Sequence, residues 1–197
     1  MSDSPALLAT SRSRRLKAAT HGTHDRLDQR IMRGDPFASL DNYRRFLRVQ
    51  YRFHRDLAVL YSLPVLQALL PDLVERQRLR ELEQDLFDLD EPLPADEGSA
   101  LTDDIDPATA LGWLYVVEGS NLGAAILFKL ATRIGLDAAH GARHLAGHPD
   151  GRARHWRRFT DALDGNALDA EQEERLVAGA TQAFQRVHGY VEQAFTD

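Results

Sequence analysis

Apolar positions along this chain recur at helical spacing, and no segment shows sustained period-two alternation. Leu16, Thr20, Thr23, Leu27 and Ile31 fall on one stripe and predict a first helix from about Ser11 to Met32. Gly34, Asp35 and Pro36 then break it. A second helix is expected from about Leu40 to Tyr61, with Tyr43, Phe46, Leu47, Tyr51, Leu57 and Leu60 facing the core. Pro64 and Pro71 bracket a short helical turn. Residues 72–89 read as a charged helix with Leu79, Leu82, Leu86 and Leu89 on its apolar face. The proline- and acid-rich stretch Asp90–Pro107 reads as a surface loop. Asp106–Pro107 opens a long helix, as a capping residue followed by proline at the first helical position, and Gly135 closes it after Ile134. Shorter helices are expected at 137–146 and 150–163, and Asp169 caps a last one running nearly to the end of the sequence. The pattern predicts a single all-α domain of roughly eight helices over residues 11–197, preceded by a flexible tail at 1–10.

The most informative segment is Leu111–Phe128, LGWLYVVEGSNLGAAILF. It is helical at both ends yet carries Gly112, Gly119 and Gly123, each costing about 0.5–1 kcal/mol relative to alanine in a helix interior. Spacings of seven and four put all three on one face, with Ser120 and Ala124 beside them. Such a face fits close helix–helix packing. It equally fits a helix backbone laid against a flat ligand. A transmembrane small-xxx-small helix is disfavoured by Glu118, Ser120 and Asn121 in mid-segment and by the lack of basic flanks. A phosphate loop lacks its lysine and its preceding strand.

The first helix carries His21 and His24. His24 faces the interior from the edge of the apolar stripe, and Lys17 lies on nearly the same face about 10 Å away along the axis. An imidazole and a cation so placed suit a metal-centred ligand with carboxylates at its rim. A structural histidine, or a small metal site made by His21, His24 and Asp28, are the competing readings. His54, His140, His144, His148, His155 and His188 sit in polar or arginine-rich contexts and read as surface residues.

Composition narrows the chemistry. The 197 residues contain no cysteine, which excludes disulfides, thiolate ligands and cysteine nucleophiles, and the net charge of −6 argues against a nucleic-acid binder. Arginines cluster at Arg12, Arg14 and Arg15 and again at Arg152, Arg154, Arg157 and Arg158. They form either a solvated surface or a local anchor for an anionic ligand or an acidic protein. Residues 1–10 lack the pattern of a secretory signal, so a cytoplasmic location is expected, without membrane attachment.

Residues 16–28, LKAATHGTHDRLD, resemble the proximal helix of haem oxygenases, and residues 112–125, GWLYVVEGSNLGAA, resemble their glycine-bearing distal helix. The likeness continues through FKLATRIGLDAAHGARHL at 128–145 and into the last helix, and is greatest to the bacterial enzymes. The resemblance implies a fold with haem held between a proximal helix and a kinked distal helix. It implies that His24 is the axial ligand to the iron and that Gly119 and Gly123 let O₂ lie along the haem plane. It further implies that Lys17, Tyr115 and, in the last helix, Arg186 contact the haem. Haem would be both substrate and prosthetic group, consumed with O₂ to give biliverdin, Fe²⁺ and CO. With no Rossmann or flavin motif in the chain, a separate ferredoxin, flavoprotein or reductase must supply electrons, and a haem-delivery protein is a further expected partner. Where the mammalian enzymes carry an aspartate after the first distal glycine, this chain has Ser120, which leaves the proton relay open. A bacterial variant that cleaves at another meso carbon has lysines where this chain has Met32 and Leu130 and differs at Lys17, so the α isomer of biliverdin is expected. A non-catalytic haem carrier on the same fold, or a haem-free thiaminase-like enzyme, are the alternatives.

Overall fold

The computed structural model describes residues 11–95 and 98–196, and the tail predicted at 1–10 lies outside them. Among the described residues there are seven α-helices and no strand: α1 (Arg12–Arg33), α2 (Leu40–Asp56), α3 (Pro64–Leu69), α4 (Leu79–Asp88), α5 (Pro107–Arg133), α6 (Arg152–Gly165) and α7 (Ala170–Ala194). The predicted starts hold for local reasons. The Asp106 carboxylate accepts from the Thr109 amide at 2.8 Å, with Pro107 behind it. Asp169 and Gln172 form a reciprocal capping box. Gly135 ends α5 with φ +86°, a conformation that a side chain disfavours.

Three predicted helices are shorter than their patterns. The second stops at Asp56 and continues as a 3₁₀ turn over Ala58–Ser62, because Leu63 precedes Pro64 and must be extended (φ −75°, ψ 118°). The fourth begins at Leu79 rather than 72. A 3₁₀ turn at Val74–Arg76 draws the Arg76 side chain into the interior, where it bonds Asp72 and Glu118, and the chain re-extends at Gln77. The helix predicted at 137–146 is a loop with one 3₁₀ turn at Arg143–Leu145. The Asp137 carboxylate accepts from the amides of Ala139 and His140 and so competes with helix formation.

Helix α7 is the spine, with α1, α2 and α5 all packed on it, while α1 and α5 hardly touch each other. The α5–α7 crossing is a meeting of glycines. A Cβ on Gly112 would lie 2.2 Å from the Leu176 carbonyl oxygen, and one on Gly179 would lie 2.2 Å from that of Thr109. Close packing is therefore the work of Gly112. Helix α5 is long and apolar enough to cross a membrane, but here its first half is buried core and its Glu118 is ion-paired to a fully buried Arg76 at 2.6 Å. The apolar residues predicted for the core of α2 are all buried, as are Leu82, Leu86 and Leu89.

Candidate functional site

Past the α7 crossing, α5 leaves the core. Ser120, Leu122, Gly123, Ala125 and Ile126 are exposed, Ile126 at 70%. An isolated apolar residue at a surface is ordinary, but a row of them beside a bare backbone is a surface suited to a ligand. A Cβ on Gly123 would meet nothing within 4 Å, and one on Gly119 would meet only the Trp156 ring, at 3.9 Å. The three glycines of this face thus divide: Gly112 lets two helices touch, Gly119 faces only the edge of the Trp156 ring, and Gly123 faces open space.

Trp156 of α6 stands beside Gly119, and its ring lies 5.6 Å from that of Tyr115, which is buried one turn earlier on α5. Burial pushes the Tyr115 hydroxyl above its ordinary pKa. Ser120 donates its hydroxyl hydrogen to the Val117 carbonyl at 2.7 Å, so in this rotamer its oxygen is an acceptor.

On α1 the His24 ring meets Phe184 of α7 edge-on, with centroids 5.9 Å apart. Its Nδ1 lies 3.3 Å from an Asp28 oxygen and 3.7 Å from an Asp25 oxygen. These carboxylates stand on the Nδ1 side of the ring. His24 is 54% exposed rather than facing the interior, so the imidazole is accessible to a ligand. His21 pairs instead with Asp25 at 3.3 Å. No group of three potential ligands among the described residues is arranged to hold a metal ion, which removes the His21–His24–Asp28 site. Lys17 is exposed on the same edge of α1.

Arg186 is not brought to this place. Its Nε donates to Asp56 at 2.8 Å, and its guanidinium lies 4.7 Å from the centre of the Tyr190 ring. Asp56 is fully buried and also accepts from the Tyr190 hydroxyl at 2.6 Å, so Arg186 neutralises a carboxylate inside the protein. Arg186 follows Phe184 by two positions, roughly 200° around α7, and so leaves the helix on the side away from His24.

The surface reading of the histidines holds for His140 but fails for His54, His144 and His155, which are 3–8% exposed. His144 bonds the buried Asp85 at 2.8 Å, and burial lowers the pKa of His54 to about 3 and of His155 to about 4, so both are neutral. The arginine clusters divide as well. Arg12 is buried against Glu173 and the Leu163 carbonyl, and Arg152 turns inward, whereas Arg14, Arg154 and Arg157 are exposed. The buried polar residues Arg76, Asp56 and Glu118, and the half-buried Arg152, carry no sequence signal of burial. Trp156 could have been sought only as an aromatic on the apolar face of α6.

A partly exposed imidazole on α1 and a bare helix face on α5, both on helices packed against α7, are the two candidate elements. Comparison with known proteins gives the family. The heme oxygenase family model matches residues 10–193. The chain is 44% identical over 184 residues to "Heme oxygenase PigA" of Pseudomonas aeruginosa, covering 93% of each chain. It superposes on the NO- and CO-bound heme oxygenase of Neisseria meningitidis with a TM-score of 0.89 and 40% identity, covering 95% of this chain and 93% of that one. Heme oxygenase of Leptospira interrogans shares the fold at 18% identity, with a TM-score of 0.77 over 93% of this chain and 100% of the other. The chain is a member of the haem oxygenase family, enzymes that degrade haem with O₂.

Proposed function

We propose that this haem oxygenase seats its substrate between α1 and α5, with His24 as the axial ligand and the Gly119–Gly123 backbone over the opposite face, and that it releases the α isomer of biliverdin with Fe²⁺ and CO. The observation that carries this reading is the open space over Gly123 on a helix whose other face is held firmly in the core. Bound haem supplies both the iron that takes O₂ and the ring that is opened.

The residues of the chain supply position. Asp28, 3.3 Å from Nδ1, is placed to orient the His24 ring and would favour Nε2 as the atom that holds the iron. An imidazole ligand, unlike a thiolate, does not push strongly toward O–O cleavage. Glycine at 119 and 123 would keep Cβ atoms off the side of α5 that faces the haem. Lys17, on the His24 edge of α1, is placed for a propionate. Tyr115 supports the floor beneath Gly119 together with Trp156. Ser120 contributes an acceptor oxygen, so protons reach the site through water that it orders rather than from its own hydrogen. Met32 is exposed and Leu130 partly buried, and neither offers a cation that would seat the propionates elsewhere, which favours the α isomer.

A separate ferredoxin, flavoprotein or reductase delivers the electrons, and the exposed Arg154 and Arg157 of α6 are the surface assigned to an acidic donor of this kind. The enzyme is placed in the cytoplasm, where it receives haem from a delivery protein.

The test is haem reconstitution of His24→Ala beside wild type. The exposed ion pairs of His24 contribute little to stability, so the apo variant should melt within a few degrees of wild type. Its Soret band should lose the five-coordinate histidine signature and turnover should cease. A variant that keeps both would refute the assignment. Chromatography of the extracted bilin tests the isomer, and mainly β or δ product would overturn that part alone.

A further inference from the structure

The segment 119–123 has a structural problem of its own. Two glycines sit in the interior of a helix, with one side facing open space, where neither backbone propensity nor packing on that side holds the helix to a single shape. The helix around it, however, is held at three successive points. The Glu118 carboxylate is gripped by Arg76 at 2.6 Å. The Trp156 ring closes on Gly119. Arg152, the first residue of α6, donates from Nη1 to the carbonyl of Asn121 at 2.8 Å and from Nη2 to the carbonyl of Leu145.

The third contact is the unusual one. Asn121 lies in mid-helix, where its carbonyl belongs to the α5 ladder. A second, charged donor on that oxygen uses its remaining lone pair and draws the peptide unit outward, and insertion of this kind is a recognised cause of helix bending. Arg152 is half-buried in doing this, and partial burial, then the nearby charge of Arg78, lower its pKa. The rigid planar fork holds two N–H donors at a fixed spread toward the two carbonyls, a geometry that the compact ammonium does not hold.

We propose that Arg152 is a positioning residue for the reaction: it fixes the tilt of the Asn121 peptide midway between Gly119 and Gly123, and so sets the direction in which the bare face meets the bound O₂. This rests on the reading that the Gly119–Gly123 face lies over the haem. Arg152 touches no reacting atom and acts through the α5 backbone.

The experiment has two arms. In the first, amide hydrogen exchange is measured on apo wild type, Arg152→Ala and Arg152→Lys. Loss of a charge-assisted bond should speed exchange of amides 119–125 by roughly tenfold to a hundredfold in the alanine variant while α2 and α7 keep their protection. Lysine, able to reach one carbonyl, should fall between. Unchanged exchange at 119–125, or an equal rise in every helix, would overturn the proposal, the latter because Arg152 would then serve global stability only. The lysine variant carries the test if the alanine variant does not fold. In the second arm, the C–O stretching band of the CO complex should broaden or shift in Arg152→Ala, and the product should become a mixture of isomers. An unchanged band beside altered exchange would overturn the positioning role. A wild-type protein that gives no Soret shift on haem titration would instead mean that the underlying site reading had failed.

Discussion

Gly112 and Gly123 share a helix face, yet alanine should act on them in opposite directions. At Gly112 the new Cβ would lie 2.2 Å from the Leu176 carbonyl oxygen and 2.5 Å from the Ala180 nitrogen, both backbone atoms that cannot swing aside. Helices α5 and α7 would have to separate by more than an ångström. Overpacking of this kind costs about 1–3 kcal/mol or more, well above the roughly 1 kcal/mol that alanine gains in helix propensity. At Gly123 nothing lies within 4 Å of the new methyl, so only the propensity gain remains, about 0.5–1 kcal/mol. For a chain of this size, Gly123→Ala should raise the melting temperature by about 1–4 °C, and Gly112→Ala should lower it by several degrees. The apo form is the one to melt, since bound haem would add its own stabilisation. The same Gly123→Ala protein should then take up haem more weakly, or release a different isomer mixture, because its methyl occupies the ligand's side of the helix. Circular dichroism melts, a Soret titration and bilin chromatography read these three quantities. A Gly123→Ala enzyme that is less stable than wild type, or more stable with unaltered haem binding and product, would refute the reasoning.

Two further predictions follow from the buried charges. Arg186→Ala should destabilise the fold by roughly 1–3 kcal/mol by stranding the buried Asp56, less than for a fully enclosed pair because Arg186 is partly exposed and Tyr190 keeps its bond. Its Soret titration should match wild type, and weaker haem binding at unchanged stability would show instead that Arg186 reaches the ligand. Burial raises Glu118 to about 7 against the opposing pull of Arg76, so the folded state holds a proton that the unfolded chain releases at lower pH. Stability from this group should therefore be greatest below the ordinary carboxylate range and decline as pH rises toward about 7. Glu118→Gln should flatten that part of the profile in apo melts, and a variant whose melting temperature tracks wild type across the window would show that Glu118 is already ionised.

The amino-acid sequence by itself determined the helical class, the starts and stops of the long helices and the stripes that form the core. These depend on capping residues, glycine, proline and periodicity, all of which act within one or two turns. Asp106–Pro107, Gly135 and Asp169 illustrate this, and each sits where the chain boundary falls. It also marked His24 and the glycine face as the places to look. It overran where a distant contact overruled local preference, as at Arg76, drawn inward to Glu118, and at the Asp137 turn. Only the tertiary structure decided which glycine does which work. A helical repeat aligns Gly112 with Gly119 and Gly123, but α7 crosses α5 over the first, the Trp156 ring stands at the second, and nothing lies over the third. The same is true of the charged residues. Periodicity reports the face on which a side chain lies, whereas burial depends on what a remote part of the chain places against that face. Arg152 and Arg186 thus read as a surface cation and a ligand contact, and in the fold one holds a helix carbonyl and the other a buried carboxylate.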